Sequence, residues 1–176
     1  MENEPIVTWR VLVSAPYFIP VIDEWQQRLM AENVELVPAQ VNERLSEAEL
    51  LGVITDMDGI ICGDDRITKR VLDAAPRLKV ISKWGTGIDS IDFKEARHRG
   101  IPVYRTPNAF SEPVADTVLG YMLTFARKLP WMDRDIRRGN WKKPPLKSLR
   151  ECVLGVVGVG DCGKAVVRRA MAFGSE

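Results

Sequence analysis

Short apolar runs alternate with amphipathic stretches through the first hundred residues. Residues 11–15 read as a buried strand, and Ile22, Trp25 and Leu29 follow at helical spacing with Arg28 and Glu32 on the wet side. Further strands are predicted at residues 34–38, 58–63, 78–82 and 101–105. Ser46 and Glu49 form a capping-box signature for a short helix through Leu51. Thr68 caps a helix that reaches Ala75 and is stopped by Pro76; Asp92 and Glu95 box another, closed by Gly100. This repeated strand–helix alternation predicts an α/β fold built on a doubly wound parallel sheet.

From Ser111 the pattern changes. Val114, Val118, Tyr121, Met122, Phe125, Leu129, Met132 and Ile136 mark one helical face, with a break expected at Pro130. Such a stripe serves as core or as a subunit interface. Lys142, Lys143, Pro144 and Pro145 make a stiff linker. Residues 152–157 are short and apolar enough for one buried parallel strand. A helix then runs from Lys164 to Phe173, with Gly174 as its C′ residue.

Composition narrows the picture. A hydrophobic content of 45% supports a packed core, and 25 basic against 24 acidic residues leave no field that would draw nucleic acid or an anionic membrane. The first residues lack a basic region and an apolar stretch, so no signal peptide is expected, and no apolar run approaches the ~20 residues of a membrane span. The cysteines, Cys62, Cys152 and Cys162, lack a C-x-x-C pattern and read as small hydrophobes in a reducing, cytoplasmic setting; Cys162 alone is a candidate for exposure.

Two glycine loops carry the candidate chemistry. Gly158, Gly160 and Gly163 are spaced G-x-G-x-x-G between a predicted strand and helix. In that setting the first glycine permits a tight turn, the second lets a pyrophosphate approach the backbone, and the third lets helix and strand pack closely. The other reading is a glycine-rich turn with no ligand. Asp161 places a carboxylate where a phosphate would lie, and the acidic residue that holds a ribose roughly 20 positions further on would fall past Glu176.

The second loop contains Lys83, Trp84, Gly85, Thr86 and Gly87. Its glycines either satisfy a tight turn or expose N–H groups to a small anion. Lys83 either pairs with a carboxylate or is simply solvated, and Trp84 either walls a pocket or joins the core. Asp56, Asp58, Asp64 and Asp65 are the acids a Mg²⁺ site would need, although a turn explains Asp58 better and no metal is expected. The one histidine, His98, sits at a helix end, where it favours the dipole and makes a poor general base.

Residues 74–92, which include Ser-Lys-Trp-Gly-Thr-Gly-Ile-Asp, and residues 99–116, which include Thr-Pro-Asn-Ala-Phe-Ser-Glu-Pro-Val-Ala-Asp, resemble the D-isomer-specific 2-hydroxyacid dehydrogenases. Arg138-Gly139-Asn140-Trp141 and the 158–163 loop continue the likeness in order, from about Asp58 to Gly174. Within the family the chain most resembles the phosphoglycerate and glycerate dehydrogenase branch.

The resemblance implies a flavodoxin-like substrate-binding domain over residues 1–110. The first elements of a Rossmann nucleotide-binding domain would follow over residues 111–176. It places a small 2-keto or 2-hydroxy acid at Lys83, Trp84, Gly85, Thr86 and Gly87. It places NAD or NADP, with NAD favoured, at Thr86, Gly158, Val159, Gly160, Asp161, Cys162 and Gly163. It implies a homodimer through the 111–138 helix. Phe110 and Ser90 stand where the family commonly has Asn, and Asp161 where Arg is frequent.

The family's catalytic arginine, glutamate and histidine come later than Glu176, so this chain is expected to lack turnover and its cofactor site to be incomplete. Residues 152–176 are expected to be mobile or paired with another chain. The alternative is a non-catalytic module that senses dinucleotide or binds a protein.

Overall fold

Five parallel strands make up the one sheet among the described residues, 9–176, of this computed structural model. They are β1 (Trp9–Val13), β2 (Val34–Pro38), β3 (Gly59–Cys62), β4 (Val80–Lys83) and β5 (Val103–Tyr104), in the spatial order β2-β1-β3-β4-β5. The order reverses direction between β1 and β3, which opens a crevice at their carboxyl ends.

Alternation along β1 divides the core in two. Val11 and Val13 face α1 (Ile22–Met30) in a cluster with Phe18 and Leu36. Leu12 faces the other way, with Ile60, Cys62 and Ile81, onto Leu50, Val71, Leu72 and Ala96. Those last four lie on or beside α2 (Glu47–Leu51), α3 (Lys69–Asp73) and α4 (Phe93–His98).

The caps form largely as the sequence predicts. Ser46 and Glu49 complete a reciprocal box on α2, and Thr68 accepts from the Val71 amide at the start of α3. Asp92 accepts from the Glu95 amide, but the Glu95 carboxylate turns to Arg99 and Lys69 instead of completing a box. The cation pair outcompetes a backbone amide because both of its partners are charged. β5 is shorter than expected because only Val103 and Tyr104 find a ladder partner.

Asp58 is not a turn residue. It is almost fully buried just before β3, where its carboxylate accepts from the Arg10 amide (3.0 Å), Arg77 (2.8 Å) and Lys79 (3.2 Å). Burial alone would raise its pKa; the Arg10 amide, Lys79 and Arg77 outweigh that and hold it below the usual 3.8.

A second compact unit spans Asn108–Glu176, the first ending at Pro107. It holds α5 (Ser111–Ala126), α6 (Leu129–Arg137) and α7 (Asp161–Ala172). Ala115 and Leu119 of α5 pack on Ala165 and Val166 of α7, joined by Leu149. Glu112 pairs with Arg168 (2.6 Å) and Arg169 (2.5 Å), and Asp116 with Arg169 (2.6 Å), along the same seam.

Two expectations about α5 and α6 are corrected here. The buried face of α5 is Ser111, Ala115 and Leu119, one residue step, about 100°, from much of the predicted stripe. Tyr121, Phe125, Leu129 and Ile136 of that stripe are exposed. The small Ser111 and Ala115 let α7 approach closely, while Val118 and Met122 of the stripe pack at the edge of the same cluster. The helix breaks not at Pro130 but at Lys128, which adopts a left-handed conformation (φ 51°). Pro130 then falls in the first turn of α6, where no N–H is needed.

Residues 152–157 form no strand. Cys152 is extended, but Val153 and Val157 are exposed and no ladder partner exists among the described residues. One extended segment without a neighbour cannot satisfy its backbone as a sheet. Its Leu154 amide instead donates to the Glu176 carbonyl at 2.8 Å. Helix α7, expected to lack a partner in its own chain, covers its apolar face on α5.

Candidate functional site

The 83–89 loop leaves the carboxyl end of β4 and is hung from the end of β5. Gly85 takes φ +152°, a backbone conformation that favours glycine. Its carbonyl accepts from the Thr106 amide (2.9 Å), and Thr86 Oγ1 donates to the Thr106 carbonyl (3.0 Å). Arg105 Nη1 donates to the Thr86 carbonyl at 3.2 Å.

The loop's carbonyls are therefore engaged on the β5 side. A trans peptide points its N–H opposite its C=O, so the amides of Thr86 and Gly87 face away from β5. Neither has a hydrogen-bond partner among the described residues. Two successive free N–H groups make a cradle for a small anion.

Lys83 is not solvated. It is 4% exposed, and its ammonium reaches the Gly63 carbonyl (2.5 Å) and pairs with Asp64, which is open to solvent. It lies directly beneath the loop: a β-carbon on Gly85 would be 3.3 Å from Lys83 Cε. Trp84 packs on one side only. One side of its ring meets Phe18 at 4.9 Å, and the rest is open to solvent.

Sequence reasoning missed the part played by Asp65. Fully buried at the sheet's crevice, its carboxylate accepts from Ser14 Oγ (2.7 Å), the Leu45 amide (2.5 Å) and the Gly63 amide (2.9 Å). It ties the ends of β1 and β3 together beneath the Lys83 contact. No local spacing links Ser14 to Asp65; the only signal was an acid at a strand's carboxyl end. Burial, with the Asp65 charge second, pushes the neighbouring Cys62 thiol up to about 12.

The other acids of that cluster are engaged as ion pairs, Asp56 with Arg10 and Asp64 with Lys83. His98 ends α4 in an exposed turn and hydrogen-bonds to neither glycine loop.

The 158–163 loop gives each glycine a distinct reason. Gly158 has φ +91°, the tight turn. A β-carbon on Gly163 would meet the Gly158 carbonyl oxygen at 2.3 Å, so only glycine allows that closure. Gly160 meets nothing within 4 Å, leaving its backbone open to approach. Gly160 is also the N-cap of α7, which therefore starts at Asp161 rather than Lys164.

Asp161, Cys162 and Gly163 thus occupy the first helical turn, where amides lack intrahelical partners. None of the three amides has a partner among the described residues. The Asp161 carboxylate favours the helix dipole there while opposing a phosphate. Cys162 is exposed, its Sγ 3.9 Å from the buried Ser111 hydroxyl. The turn, the open glycine and the free amides fit a pyrophosphate.

Fold and loops together define an α/β protein with a Rossmann-type glycine turn. The chain matches the D-isomer specific 2-hydroxyacid dehydrogenase catalytic domain over residues 11–172 and belongs to that family. It is 37% identical over 143 residues to D-3-phosphoglycerate dehydrogenase of Methanocaldococcus jannaschii, a match that covers 80% of this chain and 27% of that protein. It is 32% identical over 171 residues to hydroxypyruvate reductase of Thermotoga maritima, covering 96% and 54% respectively.

Among solved structures, the NADPH-dependent glyoxylate/hydroxypyruvate reductase of Sinorhizobium meliloti in complex with NADP and malonate is similar, with a TM-score of 0.70 and 29% identity. That match covers 94% of this chain and 51% of that one. The chain thus spans about half, or less, of the proteins it matches.

Proposed function

We propose that this chain is the substrate-loop and pyrophosphate-loop portion of an NAD(P)-dependent D-2-hydroxyacid dehydrogenase that interconverts small 2-keto and 2-hydroxy acids. The observation that carries this reading is the pair of glycine loops, each with free N–H groups among the described residues. When bound, the nicotinamide cofactor supplies or accepts the hydride.

The chain's own residues bind and orient. The Thr86 and Gly87 amides hold the substrate carboxylate, Gly85 sets the loop's curvature, and Trp84 walls one side. Lys83 adds positive charge from beneath the loop while Asp64 and Gly63 keep it in place. Thr86 also meets the nicotinamide end of the cofactor. The backbone at Gly158, Val159, Gly160, Asp161, Cys162 and Gly163 cradles the pyrophosphate, with NAD favoured over NADP.

None of these groups moves a proton. On this reading no residue of 1–176 takes the part of the family's catalytic arginine, glutamate or histidine, so residues 1–176 alone should orient ligands without turning them over.

The exposed Tyr121, Phe125, Leu129 and Ile136 of α5 and α6 support a homodimer through that surface. Three unpaired cysteines support a cytoplasmic location. Among the described residues no helix is long and apolar enough to cross a membrane.

Amide NMR of the chain tests the reading. NADH should shift residues 158–163, and D-lactate should shift Thr86 and Gly87. Shifts confined to other surfaces would rule out the assignment of both loops.

A further inference from the structure

Three loops that leave the carboxyl ends of β2, β3 and β4 enclose an open cleft of about 460 Å³. The first loop supplies Arg44, the second Arg66, and the third Asp89 and Ser90. Lys83 to Gly87, the carboxylate seat proposed above, line none of it. The three loops are stitched by main chain. The Arg66 amide donates to the Leu45 carbonyl (3.3 Å), the Ile67 amide to the Ser90 carbonyl (3.0 Å) and the Asp92 amide to the Ile67 carbonyl (2.8 Å). The frame of the cleft thus leaves the side chains on its walls for other contacts.

The donors on those walls are unspent. Arg44 and Arg66 are exposed, and neither guanidinium has a hydrogen-bond or ion-pair partner among the described residues. Ser90 Oγ is shielded from solvent and has no partner there either, and the same holds for the Asp89 and Ser90 amides. The acceptors, in contrast, are mostly engaged. Asp92 accepts from the Glu95 amide (3.0 Å), and the Thr68 hydroxyl is taken up by Glu47 (2.5 Å) and the Val71 amide (3.4 Å). Asp89 is the one carboxylate of the cleft left free among the described residues.

Two free cations against one free acid, with a surplus of N–H and O–H donors, call for an anion rich in acceptors. One guanidinium fork fills both oxygens of a carboxylate. A phosphoryl group carries close to two negative charges and three strong acceptor oxygens, enough for both forks and the hydroxyl. We propose that this cleft is a phosphoryl-binding site formed by Arg44, Arg66 and Ser90, separate from the substrate and cofactor loops. It stands whether or not the Thr86 and Gly87 amides hold a carboxylate.

The test is titration of the chain with inorganic phosphate, phenyl phosphate and acetate at constant ionic strength, followed at the Asp89 and Ser90 amide signals. A phosphoryl compound should give saturable shifts there and bind about tenfold tighter than acetate. Arg44→Gln and Arg66→Gln should each weaken that binding about tenfold, and Arg66→Lys less. Arg97→Gln, which removes an exposed charge from α4 outside the cleft, is the control and should bind like the parent. Saturating phosphoryl ligand should also raise the melting temperature of the parent but not of the Arg44→Gln/Arg66→Gln double variant. Binding of phenyl phosphate identifies a phosphoryl group carried on a larger molecule, and binding of inorganic phosphate alone identifies the free ion.

No saturable shift at Asp89 and Ser90, or equal affinity for acetate, would overturn the site. So would binding unchanged in both glutamine variants, or weakened equally in Arg97→Gln. Shifts confined to Thr86 and Gly87 would move the phosphoryl group to the carboxylate loop, overturning the cleft and leaving that loop's reading intact.

Discussion

A β-carbon on Gly163 would lie 2.3 Å from the carbonyl oxygen of Gly158, whereas one on Gly160 would meet nothing within 4 Å. The two glycines thus answer to different demands, one to packing and one to approach. Gly163→Ala should lower the melting temperature and loosen the first turn of α7, because the clash is with backbone. Gly160→Ala should melt like the parent. Thermal melts by circular dichroism, with amide exchange at Lys164 and Ala165, separate the two outcomes.

Asp58 makes stability depend on acid. Its folded pKa lies below the usual 3.8, so the stability it contributes is fully present above that value and is lost as pH falls through the folded pKa. Asp58→Asn should cost about 2 kcal/mol at pH 7, because it weakens the charge-assisted hydrogen bonds from the Arg10 amide and from the half-exposed Arg77 and Lys79. The gap between parent and variant should close below pH 3.8. Urea titrations across that range measure it; a gap independent of pH would contradict the role.

The three thiols should react in order of exposure. Cys162 is exposed, Cys152 is partly covered, and Cys62 is buried with its thiol pushed up to about 12. Iodoacetamide at pH 8 with peptide mapping should label Cys162 first and leave Cys62 unmodified until the protein unfolds.

Ser90 Oγ is buried without a hydrogen-bond partner among the described residues. An orphaned buried hydroxyl costs about 1–3 kcal/mol. Ser90→Ala should therefore melt at or above the parent temperature, and a clear drop would show that the hydroxyl has a partner.

What the sequence revealed and what it concealed follow from the range of the interactions. Ser46, Thr68, Asp92, Gly100 and Gly174 act within a few residues, and their caps and turns are legible from spacing alone. Strand runs were legible where a neighbour exists to pair with them. The 152–157 run looked identical but pairs with nothing described, because periodicity reports a segment's preference and not its partners.

The same limit hid the polar core. Asp58 and Asp65 sit in an acid-rich stretch that reads as a turn or a metal site. Their partners at Arg10, Ser14, Arg77 and Lys79 are distant in sequence. The choice between the two readings of Lys83, paired or solvated, was hidden for the same reason, since burial of a lysine depends on a carbonyl twenty residues away. Of the candidate site, both glycine loops were legible from spacing; the anchoring of the first by Arg105 and Thr106 was not.

The most direct test of the central claim is calorimetric titration of NADH into the parent chain and into Gly160→Ala. A dinucleotide seat on the 158–163 loop predicts weak but saturable binding to the parent and loss of that binding in a variant that melts normally. Equal binding by both proteins, or none by the folded parent, would contradict it.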